Sequence, residues 1–271
     1  MQHSPWKIWL VVILLLLGAA TVAYATAQLI PMLSEDANNR KSYAAFSELA
    51  ARSIKTTAPD TADAAKPVAE PGAKPDGKPW DIPEAATASA MNFEPLEAVN
   101  PDCIGWLRIA GTVVDYPLVQ GGDNDEYLLT GFDGEPRAAG TLFLDVWANK
   151  EFRGLNHPLY GHNMRDGSMF SVMHKYLNGD FALAHTDMVL FTPGGDWRLV
   201  PFAVYTAPNA GDYHTEPADE ADVLSRAKGW AEKSAVDFKV TPVEGDRFLT
   251  FVTCNSDEQN RRVVLHTILE Q

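Results

Sequence analysis

Apolar and polar positions change their period several times along the chain. From Lys7 to Ile30 almost every residue is apolar, in the run KIWLVVILLLLGAATVAYATAQLI. A helix needs about 20 such residues to cross a bilayer, so the run predicts a membrane-spanning anchor, with a cleaved leader ending near Ala23-Tyr24-Ala25 as the competing reading. Next, Tyr43, Phe46, Leu49 and Ile54 recur at near-helical spacing, with Ser34 as an expected N-cap. The stretch TAPDTADAAKPVAEPGAKPDGKPWDIPEAATASA has no period and reads as an extended tether. Phe93, Leu96 and Val99 mark one stripe of a short helix. Beyond it come short β-rich runs: CIGWLRIAG, TVVDYPLVQ, TLFLDV, HPLYGH, DMVLFTP, WRLVPFAVYTA, RFLTFVT and RVVLHTIL. Gly194-Gly195 signals a hairpin between two of them. Only ADEADVLSRAKGWAEKSAV breaks the series, as a helix of roughly five turns with Val223, Leu224, Ala227, Trp230 and Ala231 on one face. About eight strands with a few helices in the connections predict a mostly β protein, closed or nearly closed into a barrel.

These boundaries divide the chain into a tip and anchor over 1–30, a juxtamembrane helix and tether over 31–90, and a globular domain over 91–271. Lys7 and the terminal amine precede the apolar run, whereas Glu35 and Asp36 follow it, ahead of Arg40 and Lys41. That asymmetry predicts a single-pass protein with its N-terminus in the cytoplasm and its body outside. The net charge of -14 argues against tracking a nucleic-acid backbone. Two cysteines make no disulfide framework, and no cluster has metal-ligand spacing, so neither metal nor cofactor is expected.

The stretch FVTCNSDEQNRRVVLH concentrates the candidate chemistry. A buried cysteine usually fills a core, and Cys103, between apolar neighbours, fits that reading. Cys254 instead ends an apolar strand and meets the polar turn Asn255-Ser256-Asp257-Glu258, where a thiol is both fixed and reachable. A nucleophilic thiol needs a proton partner or a positive environment. Of seven histidines, His162 stands just after an apolar strand and before a Gly-containing turn, where an imidazole can face a cleft. Arg261 and Arg262 open the final strand and fall on opposite faces; either could stand beside the thiol if the two strands pair.

The combination resembles the sortases, the membrane-anchored cysteine transpeptidases of Gram-positive bacteria. Thr250-Phe251-Val252-Thr253-Cys254 is similar to the T-L-x-T-C signature, with Phe for Leu. Tyr160-Gly161-His162-Asn163-Met164 with Asp166-Gly167-Ser168-Met169-Phe170 resembles the histidine segment of class B, as do NPDCIGWLRIAGTVVDYPLVQ, GTLFLD and the helix between the sixth and seventh strands. The resemblance spans roughly residues 92–269. It implies a closed eight-stranded sortase-type barrel with an N-terminal helix and a long helix between strands 6 and 7. It implies Cys254 as nucleophile, His162 as its acid–base partner and Arg262 as the catalytic arginine, since V-V-L-H after it fits the R-x-V-V-H register. Val252, Thr253 and Asn255 would border the substrate; Val252 replaces a frequent serine and Asn255 a frequent acidic residue. The implied partners are exported proteins with a C-terminal sorting motif, cleaved after threonine, and a lipid II-type peptidoglycan precursor amine; the membrane is reached through the N-terminal helix, and nucleic acid is not a partner. Two alternatives stay open: a pilin polymerase that joins subunits through lysine, and a non-catalytic barrel that binds peptide or cell wall.

Overall fold

The computed structural model describes residues 5–54, 89–254 and 261–271. A single helix, α1 (Pro5–Ser53, 49 residues), runs unbroken through the apolar stretch and the polar one after it. Ser34 therefore lies inside a helix and caps none. The chain divides into two compact units, Met1–Ala44 and Ala45–Gln271.

Among the described residues, no helix is long and apolar enough to cross a membrane. This corrects the expected single-pass anchor, with the cytoplasmic N-terminus and external body that rested on it. Within the run, Gly18, Ala19, Ala20, Thr21, Ala23, Ala25 and Thr26 are small or hydroxylated. Thr21 returns its hydroxyl to the carbonyls of Leu17 and Gly18, and Thr26 to those of Val22 and Ala23. The helix then continues through Glu35, Asp36, Arg40 and Lys41, with no break to mark the end of a span.

In the second unit, the last turns of α1 lie beside the point where the described chain resumes. Ser53 O accepts from Asn92 N at 2.8 Å, and Ile54 forms a bridge with Met91. Phe46, Leu49 and Ala50 pack with Met91, Phe93 and Leu96, the last two from the expected stripe of α2 (Glu94–Glu97) and its start. Val99, the third expected stripe position, is exposed. Of the tether expected up to residue 90, only Ser89 and Ala90 are described; Asp196 holds both, accepting from Ser89 Oγ and Ala90 N.

Eight strands form the body: β1 (Cys103–Ile109), β2 (Asp115–Val119), β3 (Leu142–Leu144), β4 (Asn156–Gly161), β5 (Met188–Phe191), β6 (Trp197–Pro208), β7 (Phe248–Cys254) and β8 (Arg261–Glu270). They close into a barrel in the order β1-β2-β3-β4-β7-β8-β6-β5, as the β-rich runs predict. Closure leaves no open sheet edge. β2–β3 and β4–β7 pair in parallel, so long connections separate them; the other ladders are antiparallel. Pro201 has no N–H to give a ladder, and it sits where the β6–β8 register shifts, between Pro201 and Ala203.

The connection from β4 to β5 carries α3 (Gly179–Ala184), and that from β6 to β7 carries α4 (Glu220–Lys233, 14 residues), about four turns. The latter is shorter than the sequence pattern suggests at both ends: Asp219 is the N-cap, accepting from Asp222 N at 2.8 Å, and Ser234 is already the C-cap. Val223, Ala227 and Trp230 of the expected stripe are buried against Phe202, Tyr205, Phe248, Val252, Val264 and Ile268. Ser234 then fastens the helix end to β6 by accepting from Val204 N at 2.9 Å.

Candidate active site

Three ladders bring the site together. β4 and β7 run parallel, and their last pairs are Tyr160↔Val252 and Gly161↔Thr253. His162 and Cys254 follow one residue later, so they leave adjacent strands at the same level. On the other side of β7, the antiparallel register pairs Cys254 with Arg262. The register distinguishes the two arginines at the backbone: Arg262 is opposite Cys254, and Arg261 is one step beyond, donating to Thr206 O at 3.2 Å. Neighbouring strands lie about 4.8 Å apart, so His162, Cys254 and Arg262 belong to three adjacent chains within a few ångströms of one level.

A cleft of about 260 Å³ opens there, and Leu128, Tyr160, His162, Asn209, Tyr213, Val252, Thr253 and Arg262 are among its lining residues. Of the sequence-predicted substrate residues, Val252 and Thr253 line it, and Asn255 lies outside the described residues. Each wall has a local cause. Gly161 precedes His162 because a Cβ there would meet the side chains of Leu142 and Phe170 at 2.5 and 2.6 Å. After His162 the chain turns back at Gly167 (φ +85°), and His162 O accepts from Phe170 N at 2.9 Å, which pins the residue at the mouth of a short loop. The ring is fixed too: its Nε2 lies 2.7 Å from Leu128 O. A carbonyl only accepts, so Nε2 carries the proton in this bond.

The floor is aromatic. Tyr160 packs on Phe143 at 5.2 Å between centroids and donates to the buried Asp145 carboxylate at 2.7 Å. Burial first, and that carboxylate second, push the Tyr160 phenol well above its ordinary range. Burial likewise raises Tyr213 to about 12, against the opposing pull of the Arg262 charge. Both phenols therefore stay neutral donors near the guanidinium. Arg262 Nε donates to Asn209 Oδ1 at 2.8 Å.

Thr253 is the anomaly. It is 1 % exposed, yet among the described residues its Oγ1 has no hydrogen-bond partner. Cys103, by contrast, is a buried core thiol that burial raises to about 12. Sequence reasoning missed Tyr160, Asp145, Asn209 and Tyr213. Tyr160 sits inside the recognisable LYGH segment, and the turn chemistry of PNAGDY was the available signal for the other wall.

No protein-family model matches the chain. It is 35% identical to Sortase B of Listeria monocytogenes over 176 residues, covering 62% of this chain and 70% of that protein. It is 32% identical to Sortase B of Staphylococcus aureus over 178 residues, covering 64% of this chain and 72% of that protein. The chain belongs to the sortase B family. Solved structures agree with this sortase in fold. Sortase B of Bacillus anthracis superposes with a TM-score of 0.69 at 27% identity, over 87% of this chain and 97% of that one. The Staphylococcus aureus sortase B–substrate complex superposes with a TM-score of 0.63 at 29% identity, over 66% of this chain and 84% of that one. This sortase is accordingly a transpeptidase built on the eight-stranded sortase B barrel.

Proposed function

We propose that this sortase cleaves a C-terminal sorting motif after threonine through Cys254 and joins the new carboxyl to an amine of a cell-wall precursor. The observation that carries the reading is the shared level of His162, Cys254 and Arg262 on three adjacent strand ends beside one cleft. The Cys254 thiolate attacks the threonine carbonyl carbon, and the carbonyl electrons move onto oxygen. Arg262 offsets that developing charge. The tetrahedral adduct collapses with cleavage of the C–N bond, and His162 gives its proton to the leaving amine. The incoming amine then attacks the thioester, His162 takes the amine proton, and the Cys254 thiolate departs. Since Nε2 is committed to Leu128 O, proton exchange falls to Nδ1. The substrate complex of the Staphylococcus aureus sortase B supports substrate binding by this family.

Mass spectrometry of products from a library of sorting peptides and amine nucleophiles tests the reading. Wild type is expected to give a ligated amide, and Cys254→Ala neither cleavage nor ligation; cleavage by Cys254→Ala would sink the assignment. Arg262→Ala is expected to lower kcat by about 10²–10³-fold. Full activity in that variant with loss in Arg261→Ala would move the role to the neighbour.

A further inference from the structure

The segment after β6 is folded far more firmly than a surface connection needs to be. Tyr213 O accepts from Asn156 Nδ2 of β4 at 2.9 Å, and His214 O from Trp147 Nε1 at 3.2 Å. Asp212 Oδ1 accepts from Trp230 Nε1 of α4 at 3.1 Å, while Arg226 donates to the carbonyls of Asp212 and Thr215. The Tyr213 hydroxyl reaches back to the carbonyls of Pro208 and Asn209, at 2.8 and 3.1 Å. Gly211 makes room for that ring, since a Cβ there would meet it at 2.1 Å. The segment is thus gripped from β4, from the loop after β3 and from α4, and its own tyrosine clasps Asn209. The side chain held out by this bracket is the Asn209 amide, whose Oδ1 accepts from Arg262 Nε.

We propose that Asn209 is a positioning residue for Arg262: a pre-set acceptor that fixes the plane of the guanidinium toward the reacting carbonyl. This rests on the oxyanion role given to Arg262 above. A guanidinium at the end of a long side chain loses electrostatic effect if it must be ordered during the reaction, and an acceptor already in place removes that reorganisation. An amide does so through its oxygen dipole without cancelling the positive charge, as a carboxylate would. The backbone adds to the constraint, because Ala207↔Arg262 and Pro208↔Arg261 are the last pairs of the β6–β8 ladder, immediately before Asn209. The strand that carries the arginine and the segment that carries its acceptor are therefore locked in register.

The test is steady-state kinetics on the full chain with a sorting peptide and amine, with thermal unfolding in parallel. Asn209→Ala is expected to lower kcat about tenfold with KM within about twofold and the melting temperature unchanged. Asn209→Asp, which keeps an acceptor oxygen, should recover part of the loss. In an Arg262→Ala background, Asn209→Ala should cost nothing further, because the group it positions is gone. An unchanged kcat in Asn209→Ala, a loss confined to KM, or an undiminished loss in the Arg262→Ala background overturns the positioning role. A full-rate Arg262→Ala single variant overturns the oxyanion reading itself, and this inference with it; a slow Arg262→Ala beside a full-rate Asn209→Ala overturns the inference alone.

Discussion

β7 carries two buried threonines with opposite fates. Thr250 is 0 % exposed and fully engaged: it donates to Asn156 Oδ1 at 2.7 Å and sits 2.9 Å from His266 Nδ1. Because Thr250 donates to Asn156, it must accept from Nδ1–H, which leaves His266 Nε2 to accept from the Tyr205 hydroxyl at 3.0 Å. Asn156 then donates to Tyr213 O, so a directional chain runs from Tyr205 through His266, Thr250 and Asn156 to the cleft wall. Three residues along the same strand, Thr253 is as deeply buried and has no such partner among the described residues. The inner part of the strand is built for stability. Its exit beside Cys254 keeps a polar atom unspent, a cost a fold tolerates where a ligand can complete the bonding.

The largest way to break this contrast is to remove what roofs the inner network. Trp230 stacks on His266 at 4.0 Å with rings 5° from parallel and is fully buried. Trp230→Ala is expected to cost about 4 kcal/mol in denaturant unfolding; a loss below about 1 kcal/mol would mean that α4 contributes little to holding the network. Acid comes next. Burial lowers His157 from 6.5 to about 4, outweighing the bond from its Nδ1 to Phe248 O, and burial lowers His266 well below its ordinary value in the same direction. The unfolded chain binds these protons at the ordinary value, so stability from the neutral rings is whole above pH 6.5 and is lost as pH falls toward 4. For His157 alone the loss is about 3 kcal/mol. Stability that stays flat between about pH 7 and pH 5 would contradict the buried-neutral assignment. Thr250→Val is smaller, about 2 kcal/mol destabilising, because it strands His266 Nδ1–H and Asn156 Oδ1 without partners.

Much of this was legible in the chain. Every strand appears where β-rich runs are bounded by turn residues, and the paired level of His162, Cys254 and Arg262 follows once the strand order is known. What was not legible depends on neighbours that are distant in sequence. The Asn209–Arg262 bond joins residues 53 apart, and Asn156–Tyr213 joins residues 57 apart. No local period marks such partners; Asn209 looks like any turn asparagine until β6 and β8 pair. The apolar run before Ser34 misled for the opposite reason. Its composition predicts a span, while the 49-residue helix it belongs to carries on into charged residues, and no described helix is long and apolar enough to cross a membrane.

The smallest effect is the sharpest, because its sign distinguishes the two threonines. Val has nearly the shape of Thr without the hydroxyl. At position 250 that swap removes a group with two partners; at 253 it removes a buried group that has none among the described residues. Thr253→Val is therefore expected to raise stability by about 1 kcal/mol, where Thr250→Val lowers it. Activity should move the other way. If Thr253 Oγ1 is held in reserve for the peptide at the cleft, Thr253→Val should lower kcat/KM about tenfold, the order lost with one hydrogen bond to a reacting substrate. Thr250→Val should leave kcat/KM close to wild type per folded molecule, measured at a temperature where both variants are native. A Thr253→Val variant that is more stable and equally active would make the unpaired hydroxyl a packing residue of the strand end and remove Thr253 from the substrate site. One that is less stable would show that the hydroxyl has a partner after all, and the contrast between the two ends of β7 would collapse.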